Sequence, residues 1–154
     1  MDVTVRRGTA VDAPALARLR WRWRTEERGE VGLDREAFVD YFTDWIMDHV
    51  GTHVPFVVEL DGRLAGMAWL ALTDRVPGPA HMDRRTGDIQ SVYIVPELRN
   101  RGIGAQLLEA VFQHARDREL VFVTVHSAPD AIRFYRRWGF DGSERWLDWR
   151  PEPA

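Results

Sequence analysis

The sequence contains no cysteine, and this absence excludes several kinds of chemistry. A chain without thiols can form neither a disulfide framework nor a thiolate zinc site, and it has no cysteine nucleophile. Lysine is absent as well, since all 21 basic residues are arginine. Schiff-base catalysis and a phosphate-binding P-loop both require a lysine side chain. Mechanisms that use a covalent cysteine intermediate are therefore impossible.

Long apolar runs and a strong excess of charge are also missing. No apolar run approaches the roughly 18 to 20 residues of a membrane span, and residues 1–6 lack the apolar core of a signal peptide. The net charge of −3 indicates no basic surface for nucleic acid. We therefore expect a cytoplasmic protein that has no membrane or nucleic-acid partner and binds no metal.

The chain that remains is rich in apolar and aromatic residues. Hydrophobic residues make up 45% of it and aromatic residues 11%, with seven tryptophans, which excludes a disordered chain. A length of 154 residues is enough for one well-formed core and too short for two ordinary domains. The sequence therefore predicts a single domain over residues 1–154.

Hydrophobic periodicity predicts elements in the order β-α-α-β-β-β-α-β-α-β. The predicted strands are 3–6, 55–60, 63–72, 88–95, 120–125 and 144–149, and the predicted helices begin near Asp12, Asp34, Gly102 and Pro129. Asp61-Gly62 is typical of a tight hairpin, and the polar segment 73–86 is predicted to be a loop that partly covers the active site. The fold class is α/β (α+β), with about four helices around a mixed, mostly antiparallel sheet of six to seven strands.

A glycine-rich turn follows the fourth predicted strand. It contains Gly102-Ile103-Gly104 and opens directly into an amphipathic helix, with Arg99 and Arg101 beside it. Backbone N–H groups at a helix N-terminus lack intrahelical partners and lie at the positive end of the dipole, so such a turn can bind a phosphate. A dinucleotide fingerprint would need a third glycine where Leu107 stands. A plain strand-to-helix turn is the alternative interpretation.

Two ordered motifs carry a family resemblance. Arg99 to Gly104 reads Arg-x-x-Gly-x-Gly and, with the strand 92–96 before it, closely resembles the coenzyme A pyrophosphate loop of the GCN5-related N-acetyltransferases (GNAT). Residues 127–140 resemble a second segment of that family, and the match rests on Ala131, Tyr135 and the pair Gly139-Phe140. The N-terminal residues 6–14 also fit the family. The resemblance covers nearly the whole chain and is loosest between about residues 24 and 54.

The resemblance implies the acyl-CoA N-acyltransferase fold, with acetyl-CoA as cosubstrate. An acetyl group would pass to a primary amine of a small molecule or peptide by direct attack, without a covalent enzyme intermediate. In this family the pyrophosphate is held at positions that match Arg99, Asn100, Arg101, Gly102, Ile103, Gly104 and Ala105. The pantetheine arm pairs with the backbone of Val92, Tyr93 and Ile94 like another strand. A bulge in the fourth strand would leave an N–H near Ile94 for the thioester carbonyl.

The resemblance also assigns catalytic roles. Tyr135 matches the tyrosine near the coenzyme sulfur, where a phenol can donate a proton or a hydrogen bond to the leaving thiolate. Asp88 matches the position where several members have a glutamate that acts as a base through water, and an ordinary carboxylate at a strand edge is the equally weighted alternative. His126 or a water chain is the alternative base. Ala128 replaces the asparagine common in the family, and Ser127 is expected to substitute for it in part and to contact the coenzyme.

The acceptor side is the least determined part of the sequence. Carboxylates that could attract a cationic amine are Glu26, Glu27, Glu30, Asp40 and Asp44, and tryptophans that could form an apolar wall are Trp21, Trp23 and Trp45. The apolar C-terminal segment, with Trp146, Leu147 and Trp149, makes a homodimer plausible. Two competing functions remain: a coenzyme-binding module without turnover, which Ala128 favours, and a nucleotide-dependent enzyme.

Overall fold

A five-stranded sheet forms the centre of the structure, a computed structural model that describes residues 2–152. The predicted domain, 1–154, also includes Met1, Pro153 and Ala154, which lie outside the described residues. The strands are β1 (Val3–Arg7), β2 (His53–Leu60), β3 (Arg63–Arg75), β4 (Arg84–Ile94) and β5 (Val123–Val125). They lie side by side in chain order. The first four are antiparallel to their neighbours, whereas β5 is parallel to β4.

Four α-helices flank the sheet in the described residues. They are α1 (Ala13–Trp21), α2 (Arg35–Asp48), α3 (Ile103–Asp117) and α4 (Ile132–Arg137). A π-helical turn, Arg22–Glu27, continues α1, and short 3-10 turns are formed by Ala10–Asp12, Pro96–Leu98 and Pro129–Ala131. The order of elements agrees with the predicted order from β1 to α4.

Several element boundaries follow directly from local sequence. Asp34 caps α2, since its carboxylate accepts the N–H of Ala37 at 2.9 Å. Asp61 and Gly62 have φ values of 50° and 82°, the pair of left-handed conformations that a two-residue hairpin requires. The second hairpin is longer than predicted, because β3 extends to Arg75 and β4 begins at Arg84. The predicted loop 73–86 therefore shrinks to residues 76–83.

The helices cover opposite faces of the sheet. Trp69 of β3 packs against Phe42 and Trp45 of α2, with ring centroids 5.7 and 6.4 Å away. Phe56 of β2, which pairs with the residue next to Trp69, packs against His114 of α3 at 5.6 Å. Because neighbouring strand residues point to opposite faces, α2 and α3 lie on opposite sides. We call the two sides the α1–α2 face and the α3 face.

The predicted sixth strand, 144–149, is absent, so the sheet has five strands rather than six to seven. Apolar and polar residues are mixed on both faces that this segment would present as a strand, so neither face can be buried as a whole. Leu147 is 88% exposed, and Trp146 instead packs edge-on against Phe122 at 5.0 Å. The fifth strand is also shorter than predicted, because only Val123–Val125 join the ladder.

None of the helices among residues 2–152 combines the length and the apolar character that a membrane span requires.

Candidate active site

The strand β4 contains a bulge close to the point where it separates from β5. The β3–β4 register shifts between Met67 and Trp69, so Ser91 and Val92 together oppose one residue of β3. Ser91 has a φ of 61°, in the left-handed region. The parallel ladder with β5 ends at Ile89, two residues before the bulge. The two strands therefore diverge from about this point, and a slot opens between them.

The residues predicted to bind pantetheine lie along this slot. Within residues 2–152, Val92, Tyr93 and Ile94 have no ladder partner on the side that faces away from β3. Their backbone groups are thus placed as an open strand edge. The Ile94 carbonyl is the exception, because it accepts a hydrogen bond from Nε of Arg99 at 2.9 Å.

The glycine-rich turn has the conformation expected of an anion-binding loop. Asn100 and Gly102 have φ values of 63° and 76°, so left-handed residues alternate with others before α3 begins at Ile103. Such alternation directs successive backbone N–H groups to one side. Gly102, at the N-cap position, provides no side-chain cap. The first amides of α3 therefore remain available to a ligand.

The two glycines of the turn meet different requirements. Gly102 provides the left-handed conformation, and a side chain there would meet no atom within 4 Å. Gly104 instead makes room for α4, because a Cβ on it would lie 3.2 Å from Cζ of Phe134 and 3.6 Å from Cδ1 of Ile94. The second glycine of the motif is thus explained in part by packing between the first turn of α3 and α4.

The side chain of Arg99 is committed to the protein fold. Besides its bond to Ile94, its guanidinium contacts the Glu27 carboxylate at 3.3 Å and lies 5.6 Å from the ring centroid of Tyr93. The Tyr93 hydroxyl donates to the same Glu27 carboxylate, and Trp23 stacks on the Tyr93 ring. These contacts fasten the π-helical turn after α1 to β4 and to the glycine-rich loop. Charge near the loop is therefore partly neutralised by Glu27.

Tyr135 lies on α4 at a cavity of about 330 Å³ that Ser127 and Thr124 also line. Its ring is 8% exposed and packs edge-on against Phe134 and Phe140. Burial raises the pKa of the Tyr135 hydroxyl above its usual value of 10.0. That hydroxyl makes no hydrogen bond to any other described residue. The phenol is therefore protonated, and its donor is unused.

The segment before α4 contains Ala128, where the chain departs from the family pattern, and Ser127, which is expected to substitute for the missing asparagine in part. The Ser127 hydroxyl donates to the backbone carbonyl of Ala128 at 2.7 Å. With its proton used in this way, Ser127 can offer a ligand only its oxygen lone pairs.

Asp88, the predicted base, is half-buried at the end of β4 where β5 still pairs with it. Its carboxylate accepts a hydrogen bond from Thr124 Oγ1 at 2.7 Å and another from Gln90 Nε2 at 3.1 Å. Thr124 also lines the cavity at Tyr135, so this one side chain connects the two predicted catalytic residues. Asp88 itself does not line that cavity.

His126, the alternative base, follows β5 and is exposed. Its Nε2 lies 3.3 Å from Nη2 of Arg150. Since arginine can only donate, this contact requires an unprotonated Nε2.

A second cavity, of about 190 Å³, lies on the α1–α2 face beside the bulge, and sequence analysis did not predict it. Its lining includes Arg20, Phe42, Trp45, His53, Trp69 and Ser91. Nη1 of Arg20 donates to Ser91 Oγ at 2.6 Å. Burial, and to a lesser extent the nearby Arg24, lower the pKa of Arg20, but arginine starts from a value high enough to remain charged at neutral pH. We call this cavity the Arg20 pocket.

The acidic residues of the α1–α2 region have arginine partners or lie at the surface. Glu27 contacts Arg99, and Glu30 pairs with Arg24 at 2.8 Å. Asp40 and Asp44 are exposed on α2. No signal in the sequence indicates the pairing of Glu27 with Arg99, because these residues are 72 positions apart. Within residues 2–152, no group of three or more His, Asp or Glu side chains is arranged to hold a metal ion.

The chain is similar in sequence to known acetyltransferases. The family model of GNAT acetyltransferases matches residues 14–140. An uncharacterized N-acetyltransferase from Methanocaldococcus jannaschii is 25% identical over 125 residues, covering 75% of this chain and 50% of that protein. Another from Archaeoglobus fulgidus is 27% identical over 89 residues, covering 54% of each. The chain spans about half the length of these curated relatives.

Solved structures show the same fold. A predicted acetyltransferase from Clostridium acetobutylicum, crystallised with acetyl-CoA, has a TM-score of 0.76 at 21% identity, covering 97% of this chain and 96% of that one. At this identity the likeness establishes the fold. Because the family model covers most of the sequence, from residue 14 to residue 140, the chain belongs to the GNAT family of acetyltransferases.

Proposed function

We propose that the protein transfers an acetyl group from acetyl-CoA to a primary amine of a small molecule or peptide. The observation that carries this proposal is one juxtaposition: the bulged end of β4 leads directly into a glycine-rich loop and an uncapped helix N-terminus. The open edge of the strand suits the extended pantetheine arm of the coenzyme, and the loop with the helix N-terminus suits its pyrophosphate. The Clostridium acetobutylicum relative, which has the same fold, was solved with acetyl-CoA.

The amides of residues 100–105 are proposed to bind the pyrophosphate. The left-handed residues Asn100 and Gly102 turn these donors to one side, and the helix dipole adds favourable potential. Arg101 is exposed beside the loop, whereas the charge of Arg99 is shared with Glu27. Backbone amides rather than arginine side chains would therefore provide most of the binding energy.

The open edge of β4 is proposed to hold the pantetheine arm and to polarise the thioester. Val92, Tyr93 and Ile94 provide backbone donors and acceptors along the slot, and an N–H close to the bulge would face the carbonyl oxygen. A donor fixed in advance at the oxygen stabilises the negative charge that develops there.

The transfer itself needs no residue as a nucleophile. The amine nitrogen attacks the carbonyl carbon, the carbon–sulfur bond breaks, and sulfur leaves with the electron pair as a thiolate. The nitrogen, positively charged after the attack, loses one further proton to water to give the neutral amide. The ammonium proton must be removed beforehand. Because both carboxylate oxygens of Asp88 already accept hydrogen bonds, from Thr124 and Gln90, we assign Asp88 a role through water rather than direct contact with the amine.

Tyr135 is proposed to stabilise the departing thiolate by a hydrogen bond. A thiol has a pKa of about 8.5, whereas burial raises the pKa of the Tyr135 hydroxyl above 10.0. The phenol is thus a weaker acid than the thiol and keeps its proton. The hydroxyl can donate to the thiolate without breaking another hydrogen bond, because it has no partner among the described residues.

The second candidate is a module that binds coenzyme without turnover. The specific observation in its favour is that Ala128 lacks the family's amide, while the Ser127 hydroxyl is bonded to the Ala128 carbonyl. Neither residue then provides the side-chain donor expected at this position.

Calorimetry and a thiol-release assay separate these functions. We expect heat of binding with CoA and acetyl-CoA, and release of free thiol when acetyl-CoA is incubated with polyamines, amino acids, aminoglycosides or peptide N-termini. The protein contributes no thiol background, because it contains no cysteine. Binding without release for any acceptor would favour the module. Absence of heat with both coenzymes, together with a thermal shift by ATP or NAD, would contradict both candidates.

A further inference from the structure

The Arg20 pocket is the cavity on the α1–α2 face beside the bulge, and it is placed to receive the acceptor. Ser91, one of its lining residues, directly precedes Val92 at the start of the open edge. A molecule in the pocket would therefore reach the part of β4 at which the thioester carbonyl is proposed to lie. The volume of about 190 Å³ corresponds to roughly six water molecules at about 30 Å³ each, so the pocket suits a small molecule or one side chain.

The pocket contains a cation that no carboxylate neutralises by direct contact. Within residues 2–152, Arg20 forms no ion pair within 4.0 Å, and its guanidinium lies 5.7 and 5.8 Å from the ring centroids of Trp23 and Phe42. Its one hydrogen bond goes to a neutral hydroxyl, that of Ser91. A guanidinium has five N–H donors, so several remain for a ligand. Glu30 attracts Arg20 at longer range but is bonded to Arg24.

Trp69, one of the lining residues, has a buried donor that also lacks an acceptor. Trp69 is 4% exposed, and its Nε1 is buried without a hydrogen-bond partner among the described residues. An unpaired buried donor costs roughly 1–3 kcal/mol, so such groups are rare unless a ligand or water satisfies them. No Asp or Glu lines the pocket. The wall therefore combines donors with aromatic surface and lacks negative charge.

His53 adds no second cation at neutral pH. Burial and the neighbouring His49 lower its pKa below 6.5, so the imidazole is neutral there. The pocket thus offers one positive charge, from Arg20, to whatever enters it. A single carboxylate matches one guanidinium in charge and in planar geometry, whereas a phosphate dianion would leave excess negative charge.

We infer that the acceptor is an amino acid in the broad sense, a small primary amine whose own carboxylate binds Arg20 while the aromatic walls hold its carbon skeleton. This inference rests on the proposed acetyl transfer and specifies its acceptor. It does not use the carboxylates that the sequence suggested for a cationic amine, because none of them lines the pocket and two of them, Glu27 and Glu30, are paired with Arg99 and Arg24.

The test compares each acid with its uncharged amide. Acetyl transfer is measured with two pairs, phenylalanine with phenylalaninamide and 5-aminopentanoate with its amide. A hydrogen bond to a charged group is worth about 1.5–3 kcal/mol, so the wild type should prefer the acid in kcat/KM by about 10- to 150-fold. Arg20→Met should bring this ratio close to one, and Arg20→Lys should restore part of it. Arg18→Met, an exposed change on the same helix, should keep it.

A binding measurement makes the inference testable without turnover. Quenching of tryptophan fluorescence is titrated with N-acetylphenylalanine and with its amide, since Trp45 and Trp69 line the pocket. The wild type should bind the acid more tightly than the amide, and Arg20→Met should lose this preference. Equal binding of acid and amide by the wild type, or an unchanged preference in Arg20→Met, would overturn the inference. Failure of acetyl-CoA to bind at all would instead contradict the proposed function.

Discussion

Replacement of Tyr135 by phenylalanine is the sharpest test of how the leaving group is stabilised. The change removes one hydroxyl and keeps a ring that packs against Phe134 and Phe140. Because the hydroxyl makes no hydrogen bond to another described residue, its loss should leave the free energy of unfolding nearly unchanged. A fall in rate would then report on the reaction rather than on the fold.

The magnitude follows from the acidity of the group. A phenol whose pKa lies above 10.0 should share its proton with the thiolate and not transfer it, since the thiol is the stronger acid. A hydrogen bond to a charged partner is worth about 1.5–3 kcal/mol, which corresponds to a loss of about 10- to 150-fold in kcat. True proton donation would allow a larger effect, up to about 10⁴-fold. We therefore expect kcat to fall by about 10- to 150-fold, which is less than the loss of a proton donor could cause.

The assay is thiol release under saturating acetyl-CoA and acceptor, with melting temperatures measured in parallel. Tyr41→Phe is the matched control, because it makes the same chemical change at a side chain that is 63% exposed on α2. The control should retain the wild-type kcat, and neither variant should change the melting temperature. A Tyr135→Phe enzyme with kcat within twofold of wild type would refute the thiolate role. A loss beyond about 10³-fold would refute hydrogen bonding without proton transfer.

Other predictions concern the loop, the base and pH. Gly102→Ala should lower stability by about 1–2 kcal/mol, because its φ is 76°, and should also raise the KM for acetyl-CoA. Gly62→Ala, at a φ of 82° in a distant hairpin, is the control: urea denaturation should show the same loss of unfolding free energy, but the KM for acetyl-CoA should not change. If the two variants had the same KM for acetyl-CoA, binding of the coenzyme by the loop would be contradicted. Asp88→Asn should reduce kcat/KM by about 10²-fold if the proton leaves through it, and a wild-type pH–rate profile in this variant would assign the base to water or His126 instead. Burial lowers the pKa of His53 and of His114 below 6.5, so the folded state binds fewer protons than the unfolded state as the pH falls. Unfolding free energy should therefore be fully retained above pH 6.5 and decrease below it, and His114→Gln should weaken this decrease; a flat dependence would contradict it.

Much of the fold could be predicted because its boundaries are local. The Asp61-Gly62 turn adopts two left-handed conformations, Asp34 caps α2, and Gly102 precedes α3, each through contacts within a few residues. The sixth strand could not be judged in this way. Residues 144–149 mix apolar and polar side chains on both faces, so their conformation depends on distant contacts such as that between Trp146 and Phe122. The local sequence does not show these contacts.

The site was predictable in its backbone and much less so in its side chains. The bulge at Ser91 has no glycine to mark it, and Ser91 meets Arg20 across 71 residues of sequence. Likewise, the family resemblance assigns Tyr93 a role only through its backbone, yet its hydroxyl donates a hydrogen bond to Glu27, which is 66 residues away in the sequence. Motif spacing can predict the backbone conformation of a loop, but it contains no information on which side chains the tertiary fold brings to that loop.

Two backbone irregularities lie close together at the proposed site: the bulge of β4 at Ser91 and the π-helical turn that continues α1. A side chain of α1 contacts the bulge, and a side chain of β4 contacts the π-helical turn. The left-handed Ser91 costs about 1–2 kcal/mol, and the bond of 2.6 Å from Arg20 of α1 offsets part of this cost. In return, the π-helical turn that continues α1 is held by Tyr93 of β4 through Glu27 and Trp23. Strain that persists because its surroundings hold it in place is typical of functional sites. The wall of the Arg20 pocket and the open edge of β4 are therefore parts of one structure, so a substitution that loosens either should disturb both acceptor and coenzyme binding.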